Sequence, residues 1–184
     1  MGFFIIFILI IAVIFLFSSP KLSPIPYFPS QSVDLLKIIK ALNLKNNQTV
    51  IDLGAGDGIV IFKAAQQAYK RKLNTQFIAV DINPILVFIM FLRRLFHPNR
   101  KNIRIVLDDI FKMDFSHLTP NSYLLTFYLY ISPWYIEKTI LNIKKQVSKF
   151  KIVSYMYPVK SLDKTTFVKA TVVKGKNSIF VYNL

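Results

Sequence analysis

The chain has no cysteine among its 184 residues. Disulfides, thiolate metal sites and a cysteine nucleophile are therefore excluded. Only two histidines are present, His97 and His117, so the usual nitrogen and sulfur ligands of a protein zinc site are lacking and no metal centre is expected. Acidic residues are scarce: 9 Asp and Glu stand against 24 Lys and Arg, a net charge of +15 and a pI near 10.0. That balance suits an anionic partner, whether a membrane surface, nucleic acid or an acidic protein. Composition rich in Ile, Lys, Asn, Phe and Tyr together is also what an AT-rich genome produces, which weakens charge as an argument for a partner. Glycine is scarce too, and three of the five glycines stand at Gly54, Gly56 and Gly58.

Charge is absent altogether from residues 2–17. Roughly 17–25 apolar residues span a bilayer, so this run lies at the short limit. A buried amphipathic helix would show a polar stripe, and none is present. Phe17-Ser18-Ser19-Pro20 is a poor signal-peptidase site and no basic residue precedes the run. The reading is an uncleaved single-pass anchor over residues 1–19. Lys21, Lys37, Lys40 and Lys45 all follow it, which places the main domain on the cytoplasmic side of a membrane. Four prolines at 20, 24, 26 and 29 make an extended linker. A pre-core helix over 30–42 follows, capped by Ser30 or Ser32, so residues 20–45 form linker plus helix. Residues 46–184 form one domain of ordinary size.

The three glycines lie in T-V-I-D-L-G-A-G-D-G-I, residues 49–59. A short apolar run ends at Asp52, the glycine turn follows, and helix-forming residues begin at Ile59. Strand, glycine turn and helix make the first half of a nucleotide-binding βαβ unit. Downstream the pattern alternates: helix 59–72, strand 76–80 ending in Asp81, helix 84–96 opened by Pro84, and strand 102–107 followed by Asp108-Asp109. Strand 122–130, helix 133–149 opened by Pro133, and strand 150–157 come next. Two β-rich runs, 165–173 and 177–182, flank a Lys174-Gly175-Lys176-Asn177 turn that reads as a hairpin. This order predicts a three-layer α/β/α Rossmann-like sandwich. Its sheet is seven-stranded and mostly parallel, closed by a C-terminal antiparallel hairpin.

The ligand class follows from charge and spacing. Dinucleotide loops want G-x-G-x-x-G; here the spacing is G-x-G-x-G. Asp52 and Asp57 flank the loop and would repel a pyrophosphate. They suit a ligand with a cationic part, such as the ammonium and sulfonium of S-adenosylmethionine. Asp81 ends strand two, where it can accept hydrogen bonds from ribose hydroxyls. Asp109, just past strand three, is placed to take an adenine amino group, unless it and Asp108 are simply turn residues.

The glycine motif, Asp81 and Asp109 resemble, in order and spacing, the class I S-adenosyl-L-methionine-dependent methyltransferases. A narrower resemblance rests on Pro26-Tyr27-Phe28-Pro29-Ser30, I-D-L-G-A-G-D-G-I-V-I and A-V-D-I-N-P-I-L-V. These are similar to the small membrane-anchored protein-lysine methyltransferases that modify the ATP synthase c-ring protein and the adenine nucleotide translocase, and to their prokaryotic relatives. The resemblance implies cofactor contacts from Tyr27, Pro29, Asp52, Gly54, Ala55, Gly56, Asp57, Gly58, Asp81, Ile82, Asp108, Asp109 and Ile110. It also implies a protein substrate associated with a membrane. The segment Y-L-Y-I-S-P-W-Y, residues 128–135, departs from that family; Tyr128, Tyr130 and Trp134 are its candidates for an acceptor channel, or else core aromatics. The rival is an RNA or DNA base methyltransferase. Ser132-Pro133-Trp134 partly matches the proline-aromatic motif that stacks a flipped base, and the positive charge fits nucleic acid. No extra lobe is left over to hold a duplex.

Overall fold

The computed structural model describes residues 2–8, 28–115, 124–163 and 171–184. The single-pass anchor expected over residues 1–19 is corrected: among the described residues no helix is long and apolar enough to cross a membrane. Residues 2–8 are helical and exposed; at 1.5 Å per residue they cover about 10 Å, against a hydrocarbon core of roughly 30 Å. The assignment of the domain to the cytoplasmic side rested on that anchor and falls with it. Residues 9–19, most of the proline linker, Tyr27 and His117 lie outside the described residues.

Seven strands form one sheet: β1 Gln48–Leu53, β2 Gln76–Asp81, β3 Ile103–Leu107, β4 Leu124–Leu129, β5 Lys151–Tyr155, β6 Thr171–Lys174 and β7 Ser178–Asn183. The order is β3-β2-β1-β4-β5-β7-β6. β1 pairs parallel with β2 and β4, whereas β7 pairs antiparallel with both β5 and β6. This is the expected Rossmann-like sandwich with its C-terminal hairpin; Lys174 pairs with Ser178 across the turn. β1 is buried along its whole length, as a strand covered by helices on both faces must be.

Four longer helices cover the faces: α1 Leu35–Leu42, α2 Ile59–Lys70, α3 Pro84–Leu95 and α4 Pro133–Gln146. α1 shares a core with α2 and α3 through Ile38, Leu42, Ile61 and Met90. α4 packs on the opposite face through Ile136, Ile140 and Ile143. Pro84 and Pro133 each stand in a first turn, where the missing N–H has no partner to lose. The expected capping of α1 by Ser30 or Ser32 is corrected. Asp34 occupies the N-cap without a side-chain cap bond, because its carboxylate is taken by the hairpin turn: Lys176 N and Asn177 N donate to it at 2.7 and 2.9 Å.

The connection from β3 to β4 has no long helix in its described part. Its carbonyls are satisfied by α4 instead. Asn142 Nδ2 donates to Ile110 O and Met113 O, and Gln146 bonds Met113 O and Phe115 N. Those two side chains let an irregular segment bury Ile110, Met113 and Phe115 against β4 without orphaned backbone groups.

Candidate functional site

The strand order reverses between β1 and β4, so a crevice opens beyond their carboxyl ends, where open α/β sheets bind ligands. The glycine loop fills the β1 side of that crevice. Gly54, Gly56 and Gly58 all have positive φ, at 84°, 60° and 77°, a region that costs L-residues with a Cβ about 1–2 kcal/mol. A Cβ on Gly54 would lie 2.8 Å from Ile131 Cγ2, and one on Gly58 would lie 2.7 Å from Phe62 Cε2. The scarcity of glycine elsewhere thus has a local cause: this turn is where the chain cannot do without it. The loop folds back on β2, with Gly54 N and Ala55 N both donating to Val80 O at 2.9 Å.

Asp81 closes the turn. Its Oδ2 accepts from Gly56 N at 2.8 Å and its Oδ1 from Asn83 N at 2.8 Å. Each oxygen keeps a further lone pair. Burial raises the Asp81 pKa, and the N–H groups of Asn83, Gly56 and Ile82 only partly oppose it. Asn83, not Asp81, caps α3, accepting from Ile85 N at 3.0 Å.

Asp52 is 2% exposed and sits beside Tyr128 in the β1–β4 register. Burial, then the neighbouring carboxylates of Asp81 and Asp57, push its pKa well above the usual carboxylate range. Asp57 is compensated: Arg93 Nη1 lies 2.7 Å from its Oδ2 and also reaches its carbonyl. The buried negative charge without a cation is therefore that of Asp52 and Asp81. A ligand with a cationic centre fits these two; a pyrophosphate does not.

Phe28, Pro29 and Ser30 lie across the loop and line one cavity with Asp52, Gly54, Gly56, Tyr128 and Tyr130. Its free volume is about 20 Å³, so a nucleoside enters only if the 28–30 segment shifts. Ser30 Oγ lies 2.9 Å from the Tyr128 hydroxyl. Tyr128 is 1% exposed; burial first and then the Asp52 carboxylate hold its hydroxyl protonated well beyond the ordinary range. It therefore lines the glycine-loop cavity rather than an outer channel.

A second cleft of about 310 Å³ adjoins the first and is lined by Phe28, Tyr130, Ile131, Ser132, Pro133, Trp134 and Tyr157. Phe28 and Tyr130 border both cavities. Trp134 is 85% exposed. Tyr130 stacks edge-on against Tyr155 at 4.9 Å between centroids, and Tyr155 donates to Asp34 Oδ2 at 2.9 Å. Among the described residues, no Asp, Glu, Lys or Arg lines this cleft.

Other expected site residues stand apart. Asp109 Oδ1 accepts from Phe111 N at 2.9 Å and its Oδ2 is 3.8 Å from Lys112 Nζ, a turn-forming role. Asp108 is exposed and its N–H bonds Asp81 O at 3.1 Å; Ile110 is buried beneath. Ile82 is 36% exposed after Asp81. None of these four lines either cavity. Phe28, Ser30 and Tyr157 were not anticipated. Tyr157 had a signal, being two residues past β5 at the same sheet edge; Arg93 had none, since its pairing with Asp57 spans 36 residues.

No family model matches the chain. It is similar to a Caenorhabditis elegans protein named as the lysine N-methyltransferase of the ATP synthase c-ring protein, 31% identical over 96 residues, 49% of this chain and 47% of the relative. It is also similar to the protein of the same name from Xenopus laevis, 26% identical over 92 residues, 50% of this chain and 38% of that one. The chain thus spans about half the length, or less, of the curated relatives it matches. Among solved structures, the RNA methyltransferase from Salinibacter ruber in complex with S-adenosyl-L-homocysteine aligns with a TM-score of 0.67 and 17% identity, over 85% of this chain and 93% of that one. The fold is therefore the Rossmann-like fold of class I methyltransferases.

Proposed function

We propose that this chain is an S-adenosylmethionine-dependent methyltransferase and that its acceptor is a protein lysine. The observation that carries the first part is the left-handed Gly54-Gly56-Gly58 turn closed on Asp81 beside a buried Asp52 that has no cation. S-adenosylmethionine supplies a methyl group made electrophilic by its sulfonium. Gly54, Ala55 and Gly56 would let its backbone-facing parts approach closely, Asp81 would accept from ribose hydroxyls through its remaining lone pairs, and Asp52 would offer a fixed negative charge in a poorly solvated site.

The acceptor reading rests on the second cleft. A lysine with a free pKa of about 10.4 must lose a proton before it can attack. A cleft of aromatic walls without carboxylates disfavours the ammonium form by desolvation and so favours the neutral amine. Phe28, Tyr130, Trp134 and Tyr157 offer ring faces that hold the ammonium while it enters. Burial, with Tyr157 as the next cause, raises the Tyr130 pKa, so its hydroxyl stays protonated and can accept a hydrogen bond from the amine. Alignment of the amine at the border shared by the two cavities is then the main catalytic contribution. The curated relatives, named as lysine N-methyltransferases, support this reading.

The exposed Trp134 after Ser132-Pro133 favours a second reading, stacking of a nucleic-acid base, which the likeness to an RNA methyltransferase also supports. One experiment separates the two. The purified chain is incubated with methyl-labelled S-adenosylmethionine and separated protein and RNA fractions. Label released as methyl-lysine on acid hydrolysis supports the lysine reading. Label in RNA supports the second, and label in neither overturns both.

A further inference from the structure

α3 begins P-I-L-V-F-I-M-F-L, nine residues without a polar side chain. One side packs inward through Leu86, Val87 and Met90. The other side is just as apolar and meets solvent: Phe88, Leu92, Leu95 and Phe96, spaced i, i+4, i+7 and i+8, are 61%, 46%, 57% and 88% exposed, with Phe91 beside them at 43%. A helix apolar all round is normally covered on all sides. At about 200 Å² per large side chain these five expose on the order of 500 Å², more than scattered surface residues do. With a polar rim that approaches the roughly 800 Å² per partner of a stable interface.

Charge says which way a partner lies. α3 carries no acid, and its basic residues, Arg93 and Arg94, are in its last turn, followed by Arg100 and Lys101. Arg94 Nε and Arg100 Nη1 donate only to main-chain carbonyls, Arg100 O and Leu95 O. Among the described residues neither is ion-paired. The opposite end of the helix is acidic: Asp108 is exposed there, bonded through its N–H to Asp81 O three residues before Pro84. An antiparallel copy of the same helix, about 18 Å long, brings the arginine end of each against the acidic end of the other, whereas a parallel copy sets arginine on arginine.

We propose that the exposed face of α3 docks a second copy of this chain, the two helices antiparallel about a two-fold axis through Leu92. Such an isologous contact is self-complementary and closes at a dimer. It stands apart from the methyltransferase reading and holds whatever the acceptor.

The absence of cysteine makes the test direct. In the full chain carrying Leu92→Cys, the two thiols face each other across the axis, at helix separations of about 8–10 Å that a disulfide can bridge. Mild oxidation is expected to give a covalent dimer. Lys145→Cys, exposed on α4 across the sheet, is expected to give none. Light scattering of the unmodified chain is expected to return twice 21.3 kDa, and Phe88→Glu with Leu92→Glu to return the monomer with unchanged circular dichroism. A monomeric unmodified chain overturns the proposal. So does a dimer that survives both glutamates, or equal crosslinking at 92 and 145. A monomer that binds phosphatidylglycerol vesicles through Phe88 and Leu92 overturns it in favour of lipid. Should the glutamate variant unfold, the two cysteine variants decide.

Discussion

The Asp34 carboxylate accepts the Tyr155 hydroxyl at 2.9 Å across 121 residues of sequence. The same carboxylate takes Lys176 N and Asn177 N, and Tyr155 stacks on Tyr130 at the border of the two cavities. One buried acid therefore ties the start of α1, the hairpin turn and an aromatic of the site together.

Asp34→Ala leaves those three donors without their acceptor. At about 1–3 kcal/mol for each buried group left unsatisfied, the loss of stability is expected to be at least about 3 kcal/mol. Burial raises the Asp34 pKa, but the N–H groups of Asn177 and Lys176 with the two side-chain donors prevail and hold it below the ordinary value. A depressed folded pKa means stability present above the unfolded value of about 3.9 and lost as pH falls through the folded one. Denaturant titrations of wild type and Asp34→Ala at neutral and acid pH check this: the gap between them is expected to narrow at low pH. Gly175→Ala is expected to loosen the same contact, since its Cβ would overlap Asp34 Oδ1.

Asp52 behaves in the opposite sense. Its folded pKa is raised, by burial first and then by Asp81 and Asp57, so ionised Asp52 costs stability wherever the pH exceeds that value. Asp52→Asn is expected to raise the melting temperature of the ligand-free chain at neutral pH. The advantage shrinks as pH falls through the raised pKa and vanishes near the unfolded value of about 3.9, where both side chains are neutral. The same variant is expected to bind S-adenosylmethionine more weakly. Thermal unfolding against pH, with calorimetric titration of the ligand, reads both; a variant less stable than wild type at neutral pH contradicts the assignment.

The sheet and the glycine turn were legible because they depend on local pattern. Apolar runs ending in Asp52 and Asp81, and Pro84 and Pro133 opening helices, are short-range signals. The hairpin at 174–177 was equally visible. What was not legible depends on long-range pairing. Nothing near Asp34 announces that it will bond a turn over 140 residues away, so its neighbours Ser30 and Ser32 looked like better caps. Asp57 looked free because Arg93 lies a whole βα unit further on. Asp108 and Asp109 matched a binding position in order, but short connections favour acids for turns as much as for ligands. The apolar run at 2–17 has the composition of a membrane span, whereas a span also requires helix length, and no described helix has it.

Asp81 is expected to matter twice. It holds Gly56 N and would accept from the ribose of the cofactor. Asp81→Ala removes charge-assisted bonds of about 1.5–3 kcal/mol each, so S-adenosylmethionine affinity is expected to fall by roughly tenfold or more at 1.4 kcal/mol per decade. Asp81→Asn keeps an acceptor for one of the two N–H groups and is expected to lose less. Calorimetry on both variants measures it; unchanged affinity in Asp81→Ala removes Asp81 from the site.

Trp134 is the only tryptophan in the chain and is 85% exposed on the rim of the aromatic cleft. Its fluorescence therefore reports on that cleft alone. A lysine-bearing peptide substrate that enters is expected to cover the indole and shift its emission to the blue, while S-adenosylmethionine by itself, held at the glycine loop, is expected to shift it less. Trp134→Ala removes a contact made equally before and during transfer, so KM is expected to rise with kcat little changed. Tyr130 sits on the border of both cavities, where alignment matters; Tyr130→Ala is expected to lower kcat as well. Steady-state kinetics on the two variants separate these roles. Equal losses of kcat in both would move Trp134 from holding the acceptor to aligning it.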